Sequence, residues 1–253
     1  MTKRSLMSTA VCISAAGLIT AGMASPASAE TVTGWTGPAL VNGVSYLHNS
    51  SITNSPYLFA SSSVWTAFGV QMSNDQVGIN ARLFKSGILC DSTDYVYNGY
   101  VTPTFTVSAG APDCGPGSYN SHGLAKLANG SGGYNSVITF PTNPVNFGPA
   151  ARSAEESNAA EERTNSSGLR AGSGAEATSE AELPDLIAAF GTDGEIGYVK
   201  KTDLASPDLT VEQVSNLPTI DRGNGETVRS SGPRTIPLYD SDGIVAIGTF
   251  AIR

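Results

Sequence analysis

The sequence predicts a mainly β protein: an N-terminal antiparallel β-sandwich or barrel, a flexible linker, and a small β-rich α+β module at the C-terminus. Three observations carry this expectation. Short runs of β-branched and aromatic residues recur between turn clusters over the first half. Large apolar residues then vanish for about thirty positions. Beyond that gap, Asp-Gly pairs stand between apolar runs, a hairpin signal.

Residues 1–29 read as an export signal. Lys3 and Arg4 form a charged start, an apolar run follows from Leu6 to Met23, and the segment closes on small residues from Ala27 to Ala29. The run is broken by Ser and Thr and lacks stop-transfer charges, so no stable membrane insertion is expected after cleavage. Cys12 would leave with the peptide, and the mature chain would begin at Glu30. Without Lys3 and Arg4, the 14 basic residues fall to 12 against 22 acidic ones, a net charge of −10. Such a balance argues against nucleic acid or an anionic surface as partner, because both need clustered Lys and Arg.

Residues 30–148 form the predicted β-domain. In VGINARLF, the side chains of Val77, Ile79, Ala81 and Leu83 alternate with Gly78, Asn80 and Arg82, as on a strand with two unlike faces. Val64–Met72, Tyr100–Val107 and Ser136–Phe140 have strand composition, and SND, APDCGPG and NGSGG supply turns. Pro103 marks its strand as an edge or a bulge. Cys90 and Cys114 are the two cysteines left after export, so they are expected to form a disulfide. Closing a loop of that length stabilises the fold by about 3 kcal/mol in the chain-entropy treatment. A zinc site built from these cysteines with His48 and His122 lacks ligand spacing and would need reduced thiols.

Residues 149–182 read as a flexible linker dominated by Ala, Ser, Gly and Glu. Ser153 and Glu156 are spaced as a capping box for a short helix through Arg163, but that helix has no large apolar face to dock. Residues 183–253 regain apolar strands. Ser206, Pro207 and the following acids predict a helix start, with Ser206 as N-cap. Asp193-Gly194 and Asp242-Gly243 predict type I′ hairpin turns. They fail as calcium loops: the EF-hand register would put Ala189 and Lys200, or Leu238 and Thr249, at the end positions that need carboxylates. No metal or cofactor is expected.

The stretch GEIGYVKKTDL, Gly194 to Leu204, resembles the closing segment of bacterial SH3 domains, where a Gly-Tyr-Val strand runs into a short turn ending in Leu. With IPLYDSDGIVAIGTFAI, most of residues 183–253 resembles a C-terminal module of uncharacterised exported proteins of Gram-positive bacteria. That resemblance implies the cell exterior and brings no activity or site residues.

Catalytic signatures are weak. Between Thr31 and Phe147 there is no glutamate, and the carboxylates are Asp75, Asp91, Asp94 and Asp113. A glycosidase pair would have to come from these four. His48, Asp91 and Ser131 follow the chain order of a chymotrypsin-like triad, but Asn129 stands where glycine is expected, and no G-x-S-x-G elbow is present. Aromatic residues are more prominent. Tyr95, Tyr97 and Tyr100 are the candidate binding residues, Tyr95 and Tyr97 lying on one side of a strand, whereas Trp65 is expected in the core. The expected function is an exported, non-enzymatic protein that binds cell-wall glycan or another exported protein at or outside the envelope. The alternatives are a secreted hydrolase with an unrecognised site, and an inhibitor or toxin acting through the Cys90–Cys114 loop.

Overall fold

The computed structural model describes residues 30–110, 114–148, 153–223 and 225–253. The predicted export signal and Cys12 lie outside the described residues, as do Asp113 and positions 149–152. No helix among the described residues is long and apolar enough to cross a membrane. The fold is mainly β.

The first half contains β1 (Thr31–Thr33), β2 (Gly37–Val41), β3 (Val44–Thr53), β4 (Phe59–Thr66), β5 (Val77–Lys85), β6 (Ile88–Ser92), β7 (Val96–Asn98), β8 (Thr104–Ala109), β9 (Gly117–Ala128), β10 (Tyr134–Thr139) and β11 (Val145–Phe147). Strands β1 and β2 pair with successive parts of β3, which continues through β4 to β8 in one antiparallel sheet. β8 pairs only with β4 among the described residues, and Pro103 stands just before it, as an edge strand allows. In the second sheet, β5 pairs with β9 along one edge. Its other edge is shared by β7 and β6.

The sheets close over a core that includes Tyr46, Val64 and Phe105 from one side and Val77, Ile79, Ala81 and Leu83 from the other. The alternation read in VGINARLF is therefore observed on its apolar side. The opposite side is also buried, so all nine residues of β5 are covered. Gly78 shows how closely this second cover sits, since a Cβ there would meet the Tyr97 ring at 2.4 Å.

The cover is the rest of the chain: α1 (Ala154–Ala160), β12 (Arg163–Thr164), β13 (Arg170–Gly172), β14 (Leu186–Phe190), β15 (Ile196–Lys200), α2 (Lys201–Leu204), α3 (Val211–Ser215), β16 (Thr219–Gly223), β17 (Glu226–Arg229), β18 (Arg234–Tyr239) and β19 (Ala246–Ile252). It extends the second sheet at two places. β14 meets β6 in parallel and carries β15, β18 and β19, while β17 pairs with β7 and β16. A second core joins Phe84, Tyr95, Tyr97 and Leu124 to Leu183, Ile187, Val199 and Phe250.

The stretch read as a linker is docked over its described residues. The capping box forms as expected, with Ser153 Oγ accepting from Glu156 N and Glu156 Oε2 accepting from Ser153 N, each at 3.0 Å. Ala159, Ala160 and Ala171 pack with Ile88, Ala188 and Tyr198. Small side chains let backbones approach closely, and the composition concealed a packing surface made of alanine. Glu156 also pairs with Lys85 at 2.9 Å, both nearly buried.

Two turn readings need correction. Gly194 and Gly243 have positive φ, but Asp193 and Asp242 do not, so neither hairpin uses a two-residue type I′ turn. Asp240 instead holds the longer second loop by accepting from the backbone N–H groups of Ile244 and Val245. Ser206 is not an N-cap either. Helix α3 starts after Thr210, whose side chain forms a capping box with Gln213.

Glu156→Ala removes both the cap and the partner of a buried lysine. It should destabilise the protein by about 3 kcal/mol in denaturant unfolding. A loss under ~0.5 kcal/mol, the usual range for a surface substitution, would mean that α1 is not held to β5.

Candidate functional site

None of the strands β1, β2, β3, β4 and β8 contains Asp, Glu, Lys or Arg. Their inward residues build the sandwich core, and their outward residues form a grid. One row runs Thr33, Ser51, Ser61, Ser108, and the next runs Asn49, Ser63, Thr106. Hydroxyls bond along these rows: Ser51 to Ser61 at 2.9 Å and Ser63 to Thr106 at 2.8 Å. Thr31 and Thr53 form a third pair at 2.9 Å.

Aromatic rings bracket the grid. Trp65 lies between Leu47 and Thr104 at one end, and Phe59 lies opposite Thr53 at the other. Tyr57, just before β4, is exposed. Trp65 is therefore half-buried on the outer face, not in the core. Ala60, Ser62 and Val64 take the inward positions of β4, and period-2 geometry sends Trp65 outward. A surface of this kind offers hydroxyl donors and acceptors in rows and flat rings to stack on. Its own strands carry no Asp, Glu, Lys or Arg, and Arg222 reaches it only at the β8 edge, where it donates to the Thr106 carbonyl.

The predicted binding tyrosines lie elsewhere. Tyr95 and Tyr97 are 5% and 1% exposed, with ring centroids 6.2 Å apart, beneath the C-terminal half. Burial raises the pKa of both phenols. Tyr100 packs against the sandwich core, edge-on to Phe105 at 6.4 Å. The tyrosine face is core.

The candidate catalytic groups are dispersed. His48 shares the inward face of β3 with Tyr46 and stacks on Phe140, and burial lowers its pKa. His122 lies on the other face of the second sheet, stacked on Phe84 at 4.7 Å. Its Nε2–H donates to the Gly174 carbonyl at 2.7 Å. Burial, helped by the Arg82 charge, pushes its pKa down to about 3. Asp75 contacts Arg229 at 2.9 Å as an ion pair without hydrogen-bond alignment. Asp94 accepts from Ser206 Oγ at 2.6 Å. Ser131 is exposed and bonds to Asn129 Oδ1 at 2.8 Å, far in character from the buried His48 and Asp91.

Cys90 and Cys114 are joined, with sulfurs 1.99 Å apart. Over its described residues the chain between them is tied into both sheets through the end of β6, β7 and β8, and about half of it is buried. A cavity of about 390 Å³ beside this bridge is lined by Asp91, Phe190, Phe250 and Arg253. It contains none of Asp75, Asp94, His48 or His122.

Two of these groups make stability depend on pH, in opposite senses. Burial raises the Asp91 pKa from 3.8 to about 6 against the pull of Arg253. The folded state therefore holds this proton more tightly than the unfolded chain, and stability falls by about 3 kcal/mol as pH rises from about 4 to about 6. His122 is neutral when folded, so its contribution is present above pH 6.5 and is lost as pH falls toward 3. Asp91→Asn should remove the first loss and His122→Gln should reduce the second, as read by urea unfolding at several pH values. Unchanged pH profiles in both variants would contradict these assignments. No protein-family model, curated protein or solved structure matches this chain.

Proposed function

We propose that the protein is a non-enzymatic glycan-binding protein acting at or outside the cell envelope, and that the outer face of β3, β4 and β8 is its binding surface. The observation that supports this reading is the grid of hydroxyls without charge, bracketed by Trp65 and Phe59, on a chain with 14 basic and 22 acidic residues. A sugar chain presents the complementary chemistry. Its C–H faces stack on aromatic rings, and its hydroxyls exchange hydrogen bonds with Ser and Thr. Because the strands of the face carry no Asp, Glu, Lys or Arg and a single cation, Arg222, stands at its β8 edge, binding should depend only weakly on salt, unlike attraction between charged surfaces.

The test is co-sedimentation of the purified protein with insoluble peptidoglycan, chitin and cellulose. Retention on at least one of these in both low and moderate salt is expected. Trp65→Ala should weaken it roughly tenfold, the scale of one aromatic stack. No sedimentation with any of the three, or retention that disappears with salt and ignores Trp65→Ala, would overturn the proposal.

A further inference from the structure

A cavity of about 260 Å³ lies at the seam between the outer side of the second sheet and the C-terminal half. Arg82, Tyr95, Leu124 and Lys126 form its sheet side, and Leu183 and the 201–208 segment cover it. Arg82 is only 2% exposed. Its Nε donates to Asn80 Oδ1 at 2.8 Å, and Asn80 is fixed in turn by bonds from its Nδ2 to Ser92 Oγ and the Thr93 carbonyl. The Nη1 of Arg82 has no hydrogen-bond partner. Among the described residues, no carboxylate lies within ion-pair distance of Arg82.

An arginine cannot shed its charge as a lysine or histidine can, so burial leaves a cation that only the more distant Glu180 opposes. Such a group is strongly unfavourable unless something meets it. Lys126 adds a second buried cation, 4.8 Å over the Tyr95 ring. Its partner at 3.2 Å is Asp208, whose side chain lies fully in solvent and can leave at little cost. Glu180, the other acid lining the cavity, is also exposed. Arg82 and Lys126 thus sit deep, while Glu180, Asp208 and the part-buried Lys201 lie toward solvent.

We infer that this cavity is a binding site for a small monocarboxylate with a short apolar body, its carboxylate drawn to the Arg82 side chain on the cavity wall and its body lying against Leu124, Leu183 and Tyr95. A guanidinium matches the planar carboxylate. The lining carries three cations, Arg82, Lys126 and Lys201, against two carboxylates, Glu180 and Asp208, and this surplus of one positive charge matches a monoanion better than phosphate and other dianions. The volume lies below that of ordinary drug-sized pockets, so the ligand is small. This site is separate from the glycan face and does not depend on it.

Benzoate is a suitable probe, with neutral benzamide and inorganic phosphate as comparisons, titrated calorimetrically into the purified protein at low chloride. Saturable one-to-one binding of benzoate, undetectable for benzamide, is expected. Arg82→Met should reduce benzoate affinity tenfold or more, the scale of a lost charge-assisted pair. The same variant should leave the thermal midpoint of the free protein unchanged or raised, because it removes an unpaired buried charge. Asn80→Asp provides a second variant, since it supplies Arg82 with an internal carboxylate and should also abolish benzoate binding. Benzamide binding as tightly as benzoate, phosphate binding more tightly, or undiminished benzoate binding in either folded variant would overturn the inference.

Discussion

The structure depends on how its few charges are placed along one seam. Among the described residues from Thr31 to Gly148, the charged side chains are Asp75, Arg82, Lys85, Asp91, Asp94 and Lys126, and all six are buried. Five of them meet the C-terminal half directly: Asp75 meets Arg229, Lys85 meets Glu156, Asp91 meets Arg253, Lys126 meets Asp208, and Asp94 meets Ser206. Arg82 faces the seam cavity without a carboxylate. Breaking a buried pair costs far more than an exposed pair contributes. Asp75–Arg229 and Lys85–Glu156, largely buried on both sides, therefore do most to fix which surface the C-terminal half must cover, while Asp208 and Arg253 are exposed partners.

The opposite sheet is the complement of that arrangement. With the charges of the first half drawn into the seam, β3, β4 and β8 present only Ser, Thr, Asn and apolar side chains outward. The sandwich thus has one face that binds the rest of its own chain through charge and apolar packing, and another whose own side chains are neutral and which meets Arg222 at the β8 edge. The two differ in chemistry because they differ in what they meet.

Much of the local structure was legible in the sequence, and the tertiary use of it was not. The alternation in VGINARLF identified the inward side chains of β5, and Ser153 with Glu156 identified a helix start, because both signals are local. Neither signal contains the second cover over Asn80 and Arg82, since a polar position on a strand reads as solvent-facing. The docking of α1 rests on Lys85, far away in sequence. The disulfide was legible by cysteine count. The outer hydroxyl face was not, because ASSSVW has serines on both sides of the strand and period-2 reading cannot choose between them. Tyr95 and Tyr97 were correctly placed on one side, but only the seam shows that this side is interior.

The double cover of β5 also has a consequence for the order of assembly. One face needs β3, β4 and β8, the other needs residues from the 153–253 half, and its edges need β6, β7 and β9. Apart from the β5–β6 hairpin and the nearby β7, these contacts span long stretches of chain, a topology associated with slow folding. A nascent chain that has delivered only its first half would display Arg82, Phe84, His122 and Leu124 side by side on a bare sheet. That half-finished surface, and not any part of the completed molecule, is where a chaperone would have most to protect.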